Sequence, residues 1–173
     1  MHRSVTAPAN TFCAPLVSAI KQIENYRDNL VKKNEEFVKR LGEVGIPVIH
    51  ENIAAAAGDS DKTHDAYIKI NSFGDYSQAT LIVSGKDLLF IEFGAGVHYN
   101  GAVGSSPNPM GASKGYTIGS YGKGNGSKDS WYYYADTGEL VRSQGTQATM
   151  PVYKAGVEMR QKMLKIAKEV FSS

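Results

Sequence analysis

Glu92 closes an apolar run and stands directly before a glycine-rich stretch, a place where a carboxylic acid can act as the general acid of glycoside cleavage. That chemistry needs a second carboxyl across the scissile bond. Asp87, Asp129 and Asp136 are the available partners, and no spacing singles one out. A carboxylate at the end of a strand more commonly bonds the backbone amides of the following turn or a basic neighbour, and Glu92 is read that way. The four histidines, His2, His50, His64 and His98, show no His-Glu-x-x-His pattern and are read as separate surface or loop residues. The stretch Gly119-Ser120-Tyr121-Gly122-Lys123-Gly124 imitates a phosphate-binding loop but puts Gly124 where Ser or Thr must follow the lysine, and no helix pattern succeeds it. Gly94-Ala95-Gly96 has Tyr99 where a dinucleotide fingerprint needs its third glycine. No Gly-x-Ser-x-Gly pentapeptide offers a strained nucleophile. Trp131-Tyr132-Tyr133-Tyr134, with Lys123 and Lys128 nearby, can stack on bases or sugars; the commoner use of such a run is a strand that packs a core on one side and an interface on the other. No motif supports catalysis or a cofactor, so the chain is expected not to be an enzyme.

The elements that must carry these residues begin with a long helix. Leu16, Ile20, Ile23, Tyr26, Leu30, Phe37 and Leu41 fall three and four residues apart and predict an amphipathic helix over residues 16–41, ending at Gly42 or Gly45 ahead of Pro47. Its stripe is read as facing the core of the same chain. The spacing also resembles heptads with Asn34 on the seam, which leaves a helical contact between subunits open. Ile46–Ile49 can be a short strand. The period then changes to two: Tyr67–Asn71, Ala79–Val83 and Leu88–Phe93 predict strands, the last two joined as a hairpin through Ser84-Gly85-Lys86-Asp87. Residues 94–129 hold ten glycines in 36 positions and too few large apolar side chains to build a core. This loop is expected to reach outward and to order against another molecule. Trp131–Tyr134 and Glu139–Arg142 predict two strands about a turn at Asp136-Thr137-Gly138, and Pro151 opens a last helix running to about Phe171.

The expected fold is therefore α+β: a small antiparallel sheet of about four strands packed on a long N-terminal and a C-terminal helix. It is read as one domain over residues 1–173, with a flexible arm at 1–15 and the glycine-rich loop at 94–129. A formal net charge of +2 argues against a dedicated nucleic-acid reader. A single cysteine, Cys13, rules out an intramolecular disulfide. No apolar run approaches the ~20 residues of a membrane span, and no secretory leader is recognised, so the chain is expected to stay in the cytoplasm of the cell that makes it.

One arrangement is more specific. Leu89-Phe90-Ile91-Glu92-Phe93-Gly94-Ala95-Gly96-Val97 leads into the glycine-rich loop; Trp131-Tyr132-Tyr133, the turn at Gly138, Gly145-Thr146-Gln147-Ala148 and Pro151-Val152-Tyr153 then step into the final helix. This order resembles the tail-completion, or head-to-tail joining, proteins of long-tailed bacteriophages (the gene-product-ten-like family). The likeness follows the element order over residues 16–171 and is close only at 88–97 and 130–156. Ala95 replaces the family's usual threonine, and Val152-Tyr153 its more common Phe-Met or Phe-Leu. The resemblance implies a structural virion protein that forms a ring in the phage neck, with neither catalytic residues nor cofactor. Its implied partners are copies of itself, the head-closure or connector protein, and the tail-tube or tail-terminator protein. Non-specific contact with DNA in the channel is compatible with the basic face of the last helix. Glu92, Phe93, Gly94, Gly96, Trp131, Tyr133, Gly138 and Pro151 are the positions expected to carry the structural motif or an interface.

Overall fold

A computed structural model describes residues 13–57, 60–74, 76–95, 106–114, 131–143 and 145–172. Five elements build the main body: α1 (Cys13–Ala54), β1 (His64–Ser72), β2 (Ser77–Gly85), α2 (Leu88–Phe93) and, last in the chain, α3 (Pro151–Phe171). Between α2 and α3 lie a single 3-10 turn at Ala112–Lys114 and the strands β3 (Trp131–Tyr134) and β4 (Leu140–Ser143).

The N-terminal helix does not stop at Gly42 or Gly45. It runs through both, and through Pro47, to Ala54, which also removes the alternative of a strand at 46–49. Packing explains why two glycines sit in mid-helix. A Cβ on Gly42 would lie 3.0 Å from Ile68 Cδ1, and one on Gly45 would lie 2.6 Å from Leu81 Cδ2 and 3.1 Å from Met159 Sδ. The missing side chains let α1 approach the β1–β2 hairpin and α3 closely, and that contact outweighs their poor helix propensity of about 1 kcal/mol each. Past Pro47, Ile49, Ile53 and Ala56 form the core with Ile91 and Ala155; Val48, Ala66, Leu81, Val83 and Leu88 pack around them.

β1 and β2 pair antiparallel, with Ala66 opposite Val83 and Ile68 opposite Leu81. Between them the Phe73 amide donates to the Tyr76 carbonyl at 2.9 Å and Gly74 takes φ 74°. The expected strand at 88–93 is instead the helix α2, and the hairpin partner of β2 is β1. A short apolar run fits a buried strand or a buried helix equally by periodicity. Here the helical turn brings two consecutive residues, Ile91 and Glu92, inside together. A strand would send them to opposite faces.

β3 and β4 also pair antiparallel, Trp131 opposite Ser143 and Tyr133 opposite Val141. Four strands are present among the described residues, but as two separate two-stranded ladders and not as one sheet of four. α3 begins at Pro151, as its sequence signal requires, and buries Ala155, Ile166 and Val170. Near its end, Phe171 meets Phe37 of α1 with ring centroids 5.9 Å apart, and Glu169 pairs with Arg40. Val152 and Met163 of the same helix remain exposed.

Candidate functional site

The sequence motif around Glu92 converges on a joint between α2 and α3. Gly94 ends α2 at φ 83°, where its amide donates to the Phe90 carbonyl at 2.7 Å. The chain then forms one antiparallel bridge, with Ala95 and Thr146 exchanging amide-to-carbonyl bonds at 2.9 and 2.8 Å. From Thr146 it is stapled toward α3. The Gln147 amide donates to the Ala57 carbonyl, the Thr149 hydroxyl to the Asn52 carbonyl at 2.6 Å, and the Thr149 amide to the Ile91 carbonyl at 3.0 Å. Met150 takes the left-handed φ of 56°, and Pro151 enters the helix with a ring that needs no amide partner.

The side chain of Glu92 reaches from α2 to the N-terminus of α3. Its carboxylate accepts the Val152 amide at 2.8 Å through Oε2 and the Tyr153 amide at 3.0 Å through Oε1, two of the donors that an α-helix leaves orphaned at its N-terminus. Oε1 also accepts from Asn108 Nδ2 at 2.7 Å. Only 8% of Glu92 and 2% of Asn108 reach solvent. Burial pushes the Glu92 carboxyl above its ordinary value, against the pull of the two amides, Asn108 and the more distant Lys154. The carboxylate is thus a cap supplied from another element. Backbone amides were the expected partners of Glu92, and those of a distant helix take the place of those of the next turn.

Asn108 holds part of the glycine-rich loop against the body. Residues 106–114 fold back on the body and do not reach outward. Ser106 Oγ donates to the Phe93 carbonyl at 2.6 Å, and Asn108 Oδ1 accepts the Met110 amide at 2.9 Å. A polar side chain with several directed donors and acceptors can order a segment that has little apolar content. Gly96 and most of the loop, like residues 1–12 of the expected arm, lie outside the described residues; residues 13–15 of that arm already belong to α1.

Of the expected motif, Glu92, Phe93, Gly94 and Pro151 meet at this joint. Gly138 does not; it turns the β3–β4 hairpin at φ 81°, with its amide on the Ala135 carbonyl at 2.8 Å. Trp131 and Tyr133 belong to β3 of the same hairpin. That hairpin touches β2's following turn through Lys86 and Asp136, 3.3 Å apart, which raises the Lys86 ammonium.

The other prominent feature lies on α1. Every residue from 14 to 30 is exposed, and burial starts only at Val31. Ile23 and Tyr26 are 68% and 67% exposed, and Leu16, Val17, Ile20 and Leu30 share their side of the helix. The stripe expected to face the core of its own chain therefore does so only in its second half. The first half, ~25 Å at 1.5 Å per residue, carries the same apolar seam, and among the described residues none covers it. Its heptad spacing was the sequence signal for a contact between subunits. Further apolar surface is exposed at Phe73 and Tyr76, whose rings stack at 4.8 Å, at Leu89 and Phe90, and at Tyr132, Tyr134 and Leu140.

Among the described residues, no three or more His, Cys, Asp or Glu side chains cluster as metal ligands, and no described helix is long and apolar enough to cross a membrane. No family model, curated protein or solved structure matches the chain.

Proposed function

We propose that this chain is a structural virion protein that forms a ring in the neck of a long-tailed bacteriophage and joins the DNA-filled head to the tail. The observation that carries the reading is the uncovered first half of α1. An isolated helix of that length is marginal in water, and helices are held mainly by packing of an amphipathic face. A neighbouring copy supplies that packing. Six large apolar side chains, Leu16, Val17, Ile20, Ile23, Tyr26 and Leu30, are exposed along this half and offer a seam for such a contact. Among the described residues each ladder has two strands only, so a strand from an adjacent subunit can add to an edge. Contacts in which one face meets a different face of the next copy form a ring when the rotation between copies closes.

The remaining partners of the reading are the head-closure or connector protein on one side and the tail-tube or tail-terminator protein on the other, assembled in the host cytoplasm and carried in the virion. The exposed basic residues Lys154, Arg160 and Lys168 of α3 give DNA in a channel a weak, sequence-independent contact. Glu92, the best acid for a glycan-cleaving reading, is instead spent on the end of α3. One observation favours a binding module as a second reading: Tyr132 and Tyr134 are exposed on the same face of β3.

The test is assembly. Light scattering and electron microscopy of the purified chain are expected to show a closed oligomer, or a monomer that becomes one on purified heads. A strict monomer that neither binds heads nor restores tail attachment refutes the proposal. Quenching of tryptophan fluorescence by oligothymidine or chitooligosaccharide would transfer support to the second reading.

A further inference from the structure

The fold brings together two histidines that are fourteen positions apart in the sequence. His50 lies on the last turns of α1, and His64 opens β1. His50 Nδ1 and His64 Nε2 face each other at 2.6 Å, with ring centroids 4.8 Å apart and the rings tilted by 45°. The other nitrogen of His64, Nδ1, lies 2.7 Å from the Lys62 carbonyl oxygen. A carbonyl cannot donate, so this contact places the His64 proton on Nδ1 and leaves the Nε2 lone pair aimed at His50.

We infer that His50 Nδ1 and His64 Nε2 form a two-imidazole site for a late first-row divalent ion such as zinc. A backbone carbonyl that holds the far N–H of a ligating histidine is the usual outer support of a metal-bound imidazole, and Lys62 already provides it. Imidazole nitrogens suit zinc, nickel and copper. Nitrogens bound at 2.0–2.1 Å in tetrahedral geometry stand roughly 3.3 Å apart, so the pair must open by about 0.7 Å. His50 is exposed and has room for that rotation. Its proton moves to Nε2, on the solvent side, which frees the Nδ1 lone pair for the ion. Water fills the other coordination positions. The bound ion ties the end of α1 to the start of β1 across the intervening connection, and so stabilises the native state over the unfolded chain. The inference does not depend on the virion reading.

The experiment is calorimetric titration of zinc chloride into the chelator-stripped full chain at about pH 7.5, with a thermal scan with and without the ion. Expected are one ion per chain, a zinc-dependent rise in melting temperature, and at least ~10-fold weaker binding in both His50→Ala and His64→Ala. His2→Ala and His98→Ala are expected to bind as the parent does. Circular dichroism of each variant without metal checks that it folds. His64→Gln, which keeps a polar side chain there, must lose binding as well. Absence of binding, one ion per two chains, or loss only in the His2 or His98 variants overturns the inference.

Discussion

Replacing Glu92 is the sharpest test of the joint. In Glu92→Ala the Val152 and Tyr153 amides lose their acceptor, and Asn108 loses its shortest bond from a position 2% exposed. A hydrogen bond to a charged group contributes about 1.5–3 kcal/mol, and loss of a helix cap costs about 0.5–2 kcal/mol. The full sum does not apply, because burial also penalises the carboxylate, as its raised pKa records. A net loss of about 3 kcal/mol is expected, a large fraction of the 5–15 kcal/mol that holds a typical domain. For a chain of this size each kcal/mol moves the melting temperature by about 2–4 °C, so a drop of roughly 6–12 °C should appear in a thermal scan. Glu92→Gln keeps one acceptor oxygen but turns an NH2 toward a donor, and should fall between. Hydrogen exchange adds a local readout: the Val152 and Tyr153 amides should lose protection ahead of Ile166 and Val170. A Glu92→Ala protein that melts within ~2 °C of the parent, with those two amides still protected, would refute the capping role.

Three further outcomes follow from particular contacts. Ile20→Asp with Ile23→Asp should abolish self-association in light scattering while moving monomer stability by no more than about 0.5 kcal/mol, because both positions are solvent-facing; an unchanged oligomer would remove the α1 seam as its cause. Gly156→Ala, where an added Cβ meets nothing within 4 Å, should stabilise α3 by about 1 kcal/mol; Gly45→Ala, which drives a Cβ to 2.6 Å from Leu81, should destabilise by about 1–3 kcal/mol despite the same gain in helix propensity. Urea midpoints that shift in the same direction would contradict that contrast. The Glu92 pKa also carries a sign. A carboxyl raised in the folded state holds its proton at pH values where the unfolded chain has lost it, so its stabilisation is fullest in acid and declines as pH rises through the raised value. The stability gap between the parent and Glu92→Gln should therefore narrow as pH is taken up from about 4, measured by urea unfolding at each pH; a widening gap would show that the hydrogen bonds, and not burial, dominate.

The sequence by itself determined the elements whose signals are local. Pro151 and the stripe through Ala155, Ile166 and Val170 fixed α3, the two-residue period fixed β1, and Gly138 with its neighbours fixed the β3–β4 turn, because φ preferences and side-chain periodicity act within a few residues. What spans the chain was decided only by tertiary structure. Gly42 and Gly45 look like helix ends until Ile68 and Leu81 are seen to need their space. Leu88–Phe93 reads as a strand until α3 arrives and offers Glu92 two unpaired amides. The α1 stripe reads as one continuous surface, yet the body of the fold covers only the half beyond Leu30, since α3 ends near Phe37. The contacts of Asn108 with Glu92 and of His50 with His64 gave no local signal: they join separate elements, and a hydrogen bond between elements leaves no periodicity behind.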